Sequence, residues 1–376
     1  MNYLPLIALS ELPDGSSKSV RHDQKSITLF NYEGVVTALG STCQHMGGDL
    51  GQGRVQKLDD GELYVTCPWH GWQYNLKSGQ APAGYQDRQA VYGVQVLDGM
   101  ILVSEEPLTP AFRAVHENDP LADLRNLDYQ VTPSSLNVLG ISTTNMNRDL
   151  PRPSTSESAL QAALDFAASG FGASVRMIRI RDLEFRHCEG YYSRHEQACT
   201  WPCSISEMDP GDGMNEIYRA MVLWADAVIL ATPIRWGNAC SLYYKMAERL
   251  NTVQNQITVN DRVIIRNKVA SFIVTGGQDN VQGVVGQLNS FFTDLGFTFP
   301  PFNFVGWSRG WIAEDTEHNY ERFSRSRYVK RSIRELVTNT LKLVMQVKQM
   351  DVSHLQTPKP KISEAGTLFQ QDDNLS

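Results

Sequence analysis

Two cysteines and two histidines carry the most specific chemistry in this sequence. They stand as Cys43-Gln-His45 and, after 21 intervening residues, Cys67-Pro-Trp-His70-Gly-Trp. One thiolate and one imidazole in each half form the donor set of a 2Fe–2S centre in which the thiolates hold one iron and neutral imidazoles the other. Such ligation raises the potential above that of an all-cysteine cluster. The competing reading is a Cys2His2 zinc site. Zinc motifs, however, usually group cysteine with cysteine and histidine with histidine, whereas each half here mixes the two. Gly47, Gly48 and Gly71 follow the pairs and suit tight loops whose backbone N–H groups can reach sulfur.

A second set of residues points to a phosphate-bearing ligand. Leu139-Gly-Ile-Ser-Thr-Thr144 ends a strand, and Pro153-Ser-Thr-Ser-Glu-Ser158 opens a helix. Hydroxyls and free N–H groups at a helix N-terminus make a phosphate cradle, although a Ser/Thr-rich helix start is by itself more often just an N-cap. Two more loops, Ala231-Thr-Pro-Ile-Arg-Trp-Gly-Asn238 and Val274-Thr-Gly-Gly-Gln278, also follow strands. Three such loops on one edge of a parallel sheet imply a cofactor site. Cys188, Cys199 and Cys203 form a third group, with His187 and His195 nearby. A second cluster or a zinc ion is the sharper reading. Buried or contact thiols are the plainer one, since a cubane normally takes four thiolates. Cys240 reads as core packing.

The elements that must position these residues follow from periodicity. Residues 1–108 read as short strands divided by turns, among them Ser26–Tyr32, Gly34–Leu39, Leu63–Thr66, Ala90–Leu97 and Met100–Ser104. Residues 109–134, interrupted by prolines, read as a linker. Over residues 135–312 strands alternate with helices. The expected strands are Leu136–Ile141, Ser174–Ile180, Ala227–Ala231, Val269–Val274 and Phe302–Phe304. The expected helices are Ser156–Ala168, Asn215–Trp224, Ala239–Leu250 and Val281–Leu295. Five alternations imply a doubly wound parallel sheet. Residues 313–350 read as a helical extension with an apolar stripe, and 351–376 as a disordered tail. The expected fold class is therefore multidomain, all-β followed by α/β with C-terminal helices.

The cluster motif, with Gly79 and Pro82 after it, resembles Rieske ferredoxins and the Rieske domains of aromatic-ring oxygenases over roughly residues 1–108. High-potential members of that family carry a disulfide between the cluster loops. Gln44, Met46, Pro68 and Trp69 occupy the corresponding places here, so the resemblance implies the lower-potential ferredoxin type. An oxygenase would need a second, mononuclear iron held by two histidines and a carboxylate. His22, His116, His187, His195, His318 and His354 include no close His-x4-His pair, which argues against one.

The run Gly-Ile-Ser, Ser-Thr-Ser, Ala-Asp-Ala-Val-Ile-Leu-Ala-Thr-Pro-Ile and Thr-Gly-Gly resembles the NAD(P)H-dependent FMN reductase family over about residues 135–312. That family has a flavodoxin-like fold and includes quinone reductases and iron–sulfur flavoproteins. The resemblance implies that Ser142, Ser154, Thr155 and Ser156 hold the FMN phosphate. It places Thr232, Pro233, Ile234, Arg235, Trp236 and Gly237 along the isoalloxazine, with Thr275, Gly276 and Gly277 on its other side. Such families usually have an arginine soon after the first serine. Here Thr143, Thr144 and Asn145 follow it, leaving Arg148 and Arg152 as replacements. The family stacks nicotinamide on the flavin, so NAD(P)H needs no Gly-x-Gly-x-x-Gly of its own.

The 376 residues are 41% hydrophobic and 20% charged, an ordinary globular balance, with net charge −7. That balance disfavours nucleic acid or an anionic membrane as a main partner. No apolar run reaches the ~18 residues of a membrane span and the N-terminus does not read as a signal peptide, so the expected location is cytoplasmic. The expected function is an oxidoreductase passing electrons from NAD(P)H through FMN and a 2Fe–2S cluster to a small-molecule or protein acceptor, as a homo-oligomer. No individual catalytic residue is singled out. The alternatives are a quinone or nitro reductase loaded by a partner protein, and a redox-sensing binding protein.

Overall fold

The computed structural model describes residues 2–22, 25–82, 87–113, 119–130, 135–146, 152–193, 198–276, 280–308 and 313–349, without the side chains of 313–317. The expected tail therefore lies outside the described residues. The chain divides into two compact units, Met1–Ala122 with Gly190–Cys199, and Asp123–Glu189 with Thr200–Ser376.

The first unit contains ten strands: β1 (Tyr3–Ala8), β2 (Ser16–His22), β3 (Lys25–Tyr32), β4 (Val35–Gly40), β5 (Arg54–Lys57), β6 (Leu63–Thr66), β7 (Gln73–Asn75), β8 (Val91–Tyr92), β9 (Val94–Leu97) and β10 (Met100–Ser104). They form three sheets in the orders β2-β3-β4-β8, β1-β10-β9 and β5-β6-β7. Every pairing is antiparallel. Alternation drives this arrangement, because Ile27 and Leu29 of β3 turn inward onto Ile7, Leu12, Ala38, Tyr92, Ile101 and Val103. Glu33-Gly34 and Asp98-Gly99 join β3 to β4 and β9 to β10 with positive φ at both residues, the conformation whose twist matches a two-residue hairpin.

In the second unit β11 (Asn137–Ser142), β12 (Ser174–Arg179), β13 (Ala227–Arg235), β15 (Val269–Gly276) and β16 (Phe304–Ser308) form a parallel sheet. The short β14 (Asn238–Ala239) pairs antiparallel with β13. The order β12-β11-β13-β15-β16 is, counted within the unit, 2-1-3-4-5, that of a flavodoxin-like doubly wound sheet. Helices that flank or follow the sheet are α1 (Thr155–Phe171), α2 (Met214–Tyr218, continued by a π-helical turn Arg219–Trp224), α3 (Ser241–Asn260), α4 (Val281–Asp294), α5 (Ala313–Arg325) and α6 (Arg327–Gln349), beside short helical segments at Ala122–Asn126 and Ser204–Met208. Helix α1 buries Ala159, Leu160, Ala163, Leu164 and Ala167, and α6 buries Val329, Ile333, Leu336, Val337, Leu341 and Val344. Both stripes join one core with Val138, Ile229 and Ile273 of the sheet.

Three sequence expectations change. The last strand starts at Phe304 rather than Phe302, and Phe302 instead adopts a left-handed turn conformation. The C-terminal helical stretch breaks at Ser326, whose hydroxyl accepts from the Val329 N–H and caps α6. Strand β13 continues four residues past Ala231, since Ile234 and Arg235 pair with β14. Among the described residues no helix is long and apolar enough to cross a membrane.

Candidate functional site

In the first unit the loop Cys43–Gly48 follows β4, and Cys67–Trp72 links β6 to β7. The two loops share one backbone pattern. The Cys43 N–H donates to the Gly48 carbonyl (2.9 Å) and the Gly47 N–H to the Cys43 carbonyl (3.0 Å). Likewise, the Cys67 N–H donates to the Trp72 carbonyl (2.7 Å) and the Gly71 N–H to the Cys67 carbonyl (3.0 Å). Gly47 and Gly71 have φ of +89° and +73°, which closes each loop around its cysteine and which only glycine adopts without strain. The four side chains meet between the loops. Cys43, Cys67, His45 and His70 are all buried. The two imidazoles stand edge to face with centroids 4.7 Å apart, and Trp72 stacks on His45 at 4.4 Å.

A hydrogen bond joins the sulfurs of Cys43 and Cys67. The bond from Cys67 holds the Cys43 thiol down at about 6, while the same bond and burial push Cys67 up. That is the behaviour of two sulfurs close enough to bind one iron as thiolates. A Cβ on Gly48 would lie 2.8 Å from the Cys67 sulfur, so the first loop's backbone crowds the sulfur as a cluster cradle requires. Among the described residues no three such side chains converge on a point that one ion could occupy, and ligands divided two and two between separate irons need not. The donor set fits a 2Fe–2S cluster: Cys43 and Cys67 would take one iron and His45 and His70 the other.

Two supporting residues escaped the sequence reading. The Tyr74 hydroxyl lies 3.6 Å from Cys43 Sγ. Buried Gln89 donates to the Thr42 carbonyl (2.7 Å) and accepts from Gln44 (3.1 Å), holding the base of the first loop. Neither has a motif. Tyr74 is signalled only by its alternation inward on β7.

In the second unit the carboxyl ends of β11, β13 and β15 bring the expected flavin loops to one edge. Ser154 caps α1 by accepting from the Glu157 N–H (3.3 Å). Its hydroxyl, that of Ser156 and that of Thr144 form a closed triangle with sides of 2.8–3.1 Å. Thr144 belongs to the loop read from sequence as part of a phosphate cradle but was not among the residues assigned to hold the phosphate, and it completes the triangle. Three hydroxyls at the positive end of a 17-residue helix fit a phosphate group. Thr155 is the first residue of that helix, and Ser142 ends β11 fully buried.

Of the second loop, Thr232, Pro233 and Ile234 are buried in β13 and Arg235 is exposed. Trp236 and Gly237 form the hairpin tip with φ of +50° and +74°, and Trp236 is 91% exposed. In the third loop Thr275 is buried, and Gly276 packs so closely that a Cβ would meet Ile234 Cβ at 2.8 Å. Gly277 and Arg148 lie outside the described residues, and Arg152 is exposed. Cys240 ties two of the loops, because its buried thiol donates to the Thr143 carbonyl while its N–H donates to the Thr232 hydroxyl (3.4 Å). It therefore braces the cofactor edge as well as filling the core. Cys188, Cys199 and Cys203 are of intermediate burial.

A charged group adjoins the triangle. Glu157, on the first turn of α1, accepts from the Ser142 hydroxyl (3.2 Å), from Arg179 Nε (2.6 Å) and from Arg181 Nη1 (2.6 Å). Burial pushes its carboxyl up, but Arg181 and Arg179 more than offset this and hold it below the ordinary carboxylate value.

Comparison with known proteins agrees with this division. Residues 2–95 match the family described as the Rieske 2Fe-2S domain, and residues 137–311 the family described as NADPH-dependent FMN reductase. The 3-phenylpropionate/cinnamic acid dioxygenase ferredoxin subunit of Photorhabdus laumondii is 35% identical over 111 residues, 28% of this chain and 99% of that protein. A cytochrome b6-f complex iron-sulfur subunit of Chlorobaculum tepidum is 28% identical over 28% of this chain and 54% of its own length. A crystal structure of RosB with bound 8-demethyl-8-formylriboflavin-5'-phosphate aligns over 64% of this chain and 89% of that one, at 17% identity and a TM-score of 0.46.

Proposed function

With a Rieske 2Fe-2S domain followed by an NADPH-dependent FMN reductase domain in one chain, we propose an oxidoreductase that takes electron pairs from NAD(P)H and delivers them singly to an acceptor. The observation that carries this reading is the presence of two donor sets in one polypeptide, one of thiols and imidazoles and one of hydroxyls at a helix N-terminus. When bound, FMN supplies two-electron hydride chemistry and the cluster supplies one-electron transfer.

The chain's own residues do the rest. Cys43, His45, Cys67 and His70 hold the cluster in a buried pocket. Ser154, Ser156 and Thr144 anchor the flavin phosphate, with Thr155 and Ser142 beside them. Thr232, Pro233, Ile234, Arg235, Trp236, Gly237, Thr275, Gly276 and Gly277 border the ring. Arg235, a permanent cation, favours the anionic reduced flavin over the neutral oxidised one. The ferredoxin relative is named as a subunit of a dioxygenase, which supports a protein acceptor of single electrons, and we assign the chain to a homo-oligomer.

The test is an anaerobic titration of the purified protein with NADPH and with NADH, followed by flavin absorbance and by EPR. Flavin bleaching is expected first, then the signal of the reduced cluster. A flavin that keeps its absorbance in excess of both nucleotides would refute the reading.

A further inference from the structure

The phosphate cradle holds a charge imbalance that its hydroxyls do not explain. Glu157 sits one hydrogen bond from Ser142, beside a site for a dianion. A lone carboxylate there would repel the phosphate. It is not alone. Arg181 Nη1 and the Ser142 hydroxyl share the same carboxylate oxygen, Oε2, while Arg179 Nε holds the other. The side chains of Arg181 and Glu157 are 19% and 17% exposed, so the group is largely shielded from solvent screening. Two guanidinium groups face this carboxylate beside the hydroxyl triangle, and the half-exposed Asp182 lies 3.6 Å from Arg181 Nε. Arg179 binds Glu157 only through Nε, and its two terminal amino groups have no partner among the described residues. Ser142 gives its one proton to Glu157, so it presents lone pairs to the cradle and acts through the carboxylate.

We propose that Arg181 and Arg179, carried at the C-terminal end of β12 and held in place by Glu157, supply the positive charge that recognises the FMN phosphate. In the loop after β11, Thr143, Thr144 and Asn145 follow Ser142, and Arg152 is exposed. Glu157 is then a positioning residue. It aims two planar forks that would otherwise extend into solvent, and it links them to the helix end that already favours an anion.

The inference rests on the FMN reading, and the experiment separates the two. Full-length protein stripped of flavin is titrated with FMN and with riboflavin, which lacks the phosphate, by quenching of flavin fluorescence. Arg181→Met should weaken FMN binding about tenfold and leave riboflavin within about twofold, with Arg179→Met acting in the same direction. Both should flatten the dependence of FMN affinity on salt. Arg181→Lys, which keeps the charge without the fork, should recover part of the loss.

Glu157→Gln is the sharpest arm. It removes a negative charge, yet it should weaken FMN because the arginines lose their anchor. Tighter FMN binding would show that the carboxylate only repels, and would overturn the assignment. Equal losses for FMN and riboflavin, or no loss for FMN, overturn it as well. Wild-type protein that binds neither flavin refutes the FMN reading itself. Thermal unfolding of each variant identifies any that fail to fold, and the partly exposed Arg179 then carries the test.

Discussion

Tyr74 places its hydroxyl 3.6 Å from Cys43 Sγ inside a fully buried shell. Burial, and then the Cys43 sulfur, push its ionisation up, and toward a metal-bound thiolate, which has no proton to give, the phenol is the donor. A donor on a ligating sulfur favours the more electron-rich, reduced cluster. Removing one hydrogen bond costs about 1 kcal/mol, which for a one-electron couple is roughly 40 mV. Tyr74→Phe should therefore lower the cluster potential by about that amount in a redox titration followed by EPR, with the cluster content unchanged. An unmoved potential would mean that the phenol only fills space. At this scale the sequence was informative where chemistry is local. The four ligands lie in two short motifs, whereas the arginines that hold Glu157 stand 22 and 24 residues beyond it. Only the parallel pairing of β11 with β12, Ser142 opposite Arg179, brings them together.

The β13–β14 hairpin shows why elements were less legible than motifs. A strand ending at Ala231 is the natural reading of Ala-Thr-Pro, because proline has no N–H to give a ladder. Pairing with β11 does end at Ala231, while pairing with β15 runs on to Pro233, and proline is tolerated where a strand becomes an edge. The continuation then turns at Trp236-Gly237, and the Asn280 side chain clamps the Gly237 carbonyl. Trp236 is bulky, strained at φ +50° and almost wholly exposed. Asparagine occupies that conformation more readily. Trp236→Asn should therefore stabilise the flavin-free protein by about 1 kcal/mol, a gain of roughly 2–4 °C in Tm. If the indole borders the ring, the same variant should bind FMN with brighter residual flavin fluorescence. A lower Tm would show that the exposed indole makes a stabilising contact. Strands β1, β2 and β5 went unread for a related reason: they bury at most one side chain apiece, so their alternation is faint, and β7 is only three residues long.

At the scale of the molecule, the proposed relay joins the two domains to change the number of electrons moved at a time. That makes the domains separable by chemistry. Cys67→Ser removes one thiolate from the cluster site of the first unit, while the core of the second unit is built from α1, α6 and the five-stranded sheet. NADPH should bleach the flavin of this variant at the wild-type rate. Transfer to an obligate one-electron acceptor such as cytochrome c should fall by at least about tenfold, since in the proposed relay the cluster is the station that meets the acceptor. A two-electron acceptor such as a quinone should be reduced nearly as before. Stopped-flow traces of the first step, beside steady-state rates with the two acceptors, decide the matter. Equal rates with cytochrome c would mean that the flavin serves acceptors directly and that the cluster is not on the path. A slowed first step would mean instead that the cluster governs entry of electrons and that flow runs from the first unit to the second. The net charge of −7 bears on the same assay, because a basic acceptor should react faster at low ionic strength and lose that advantage as salt rises.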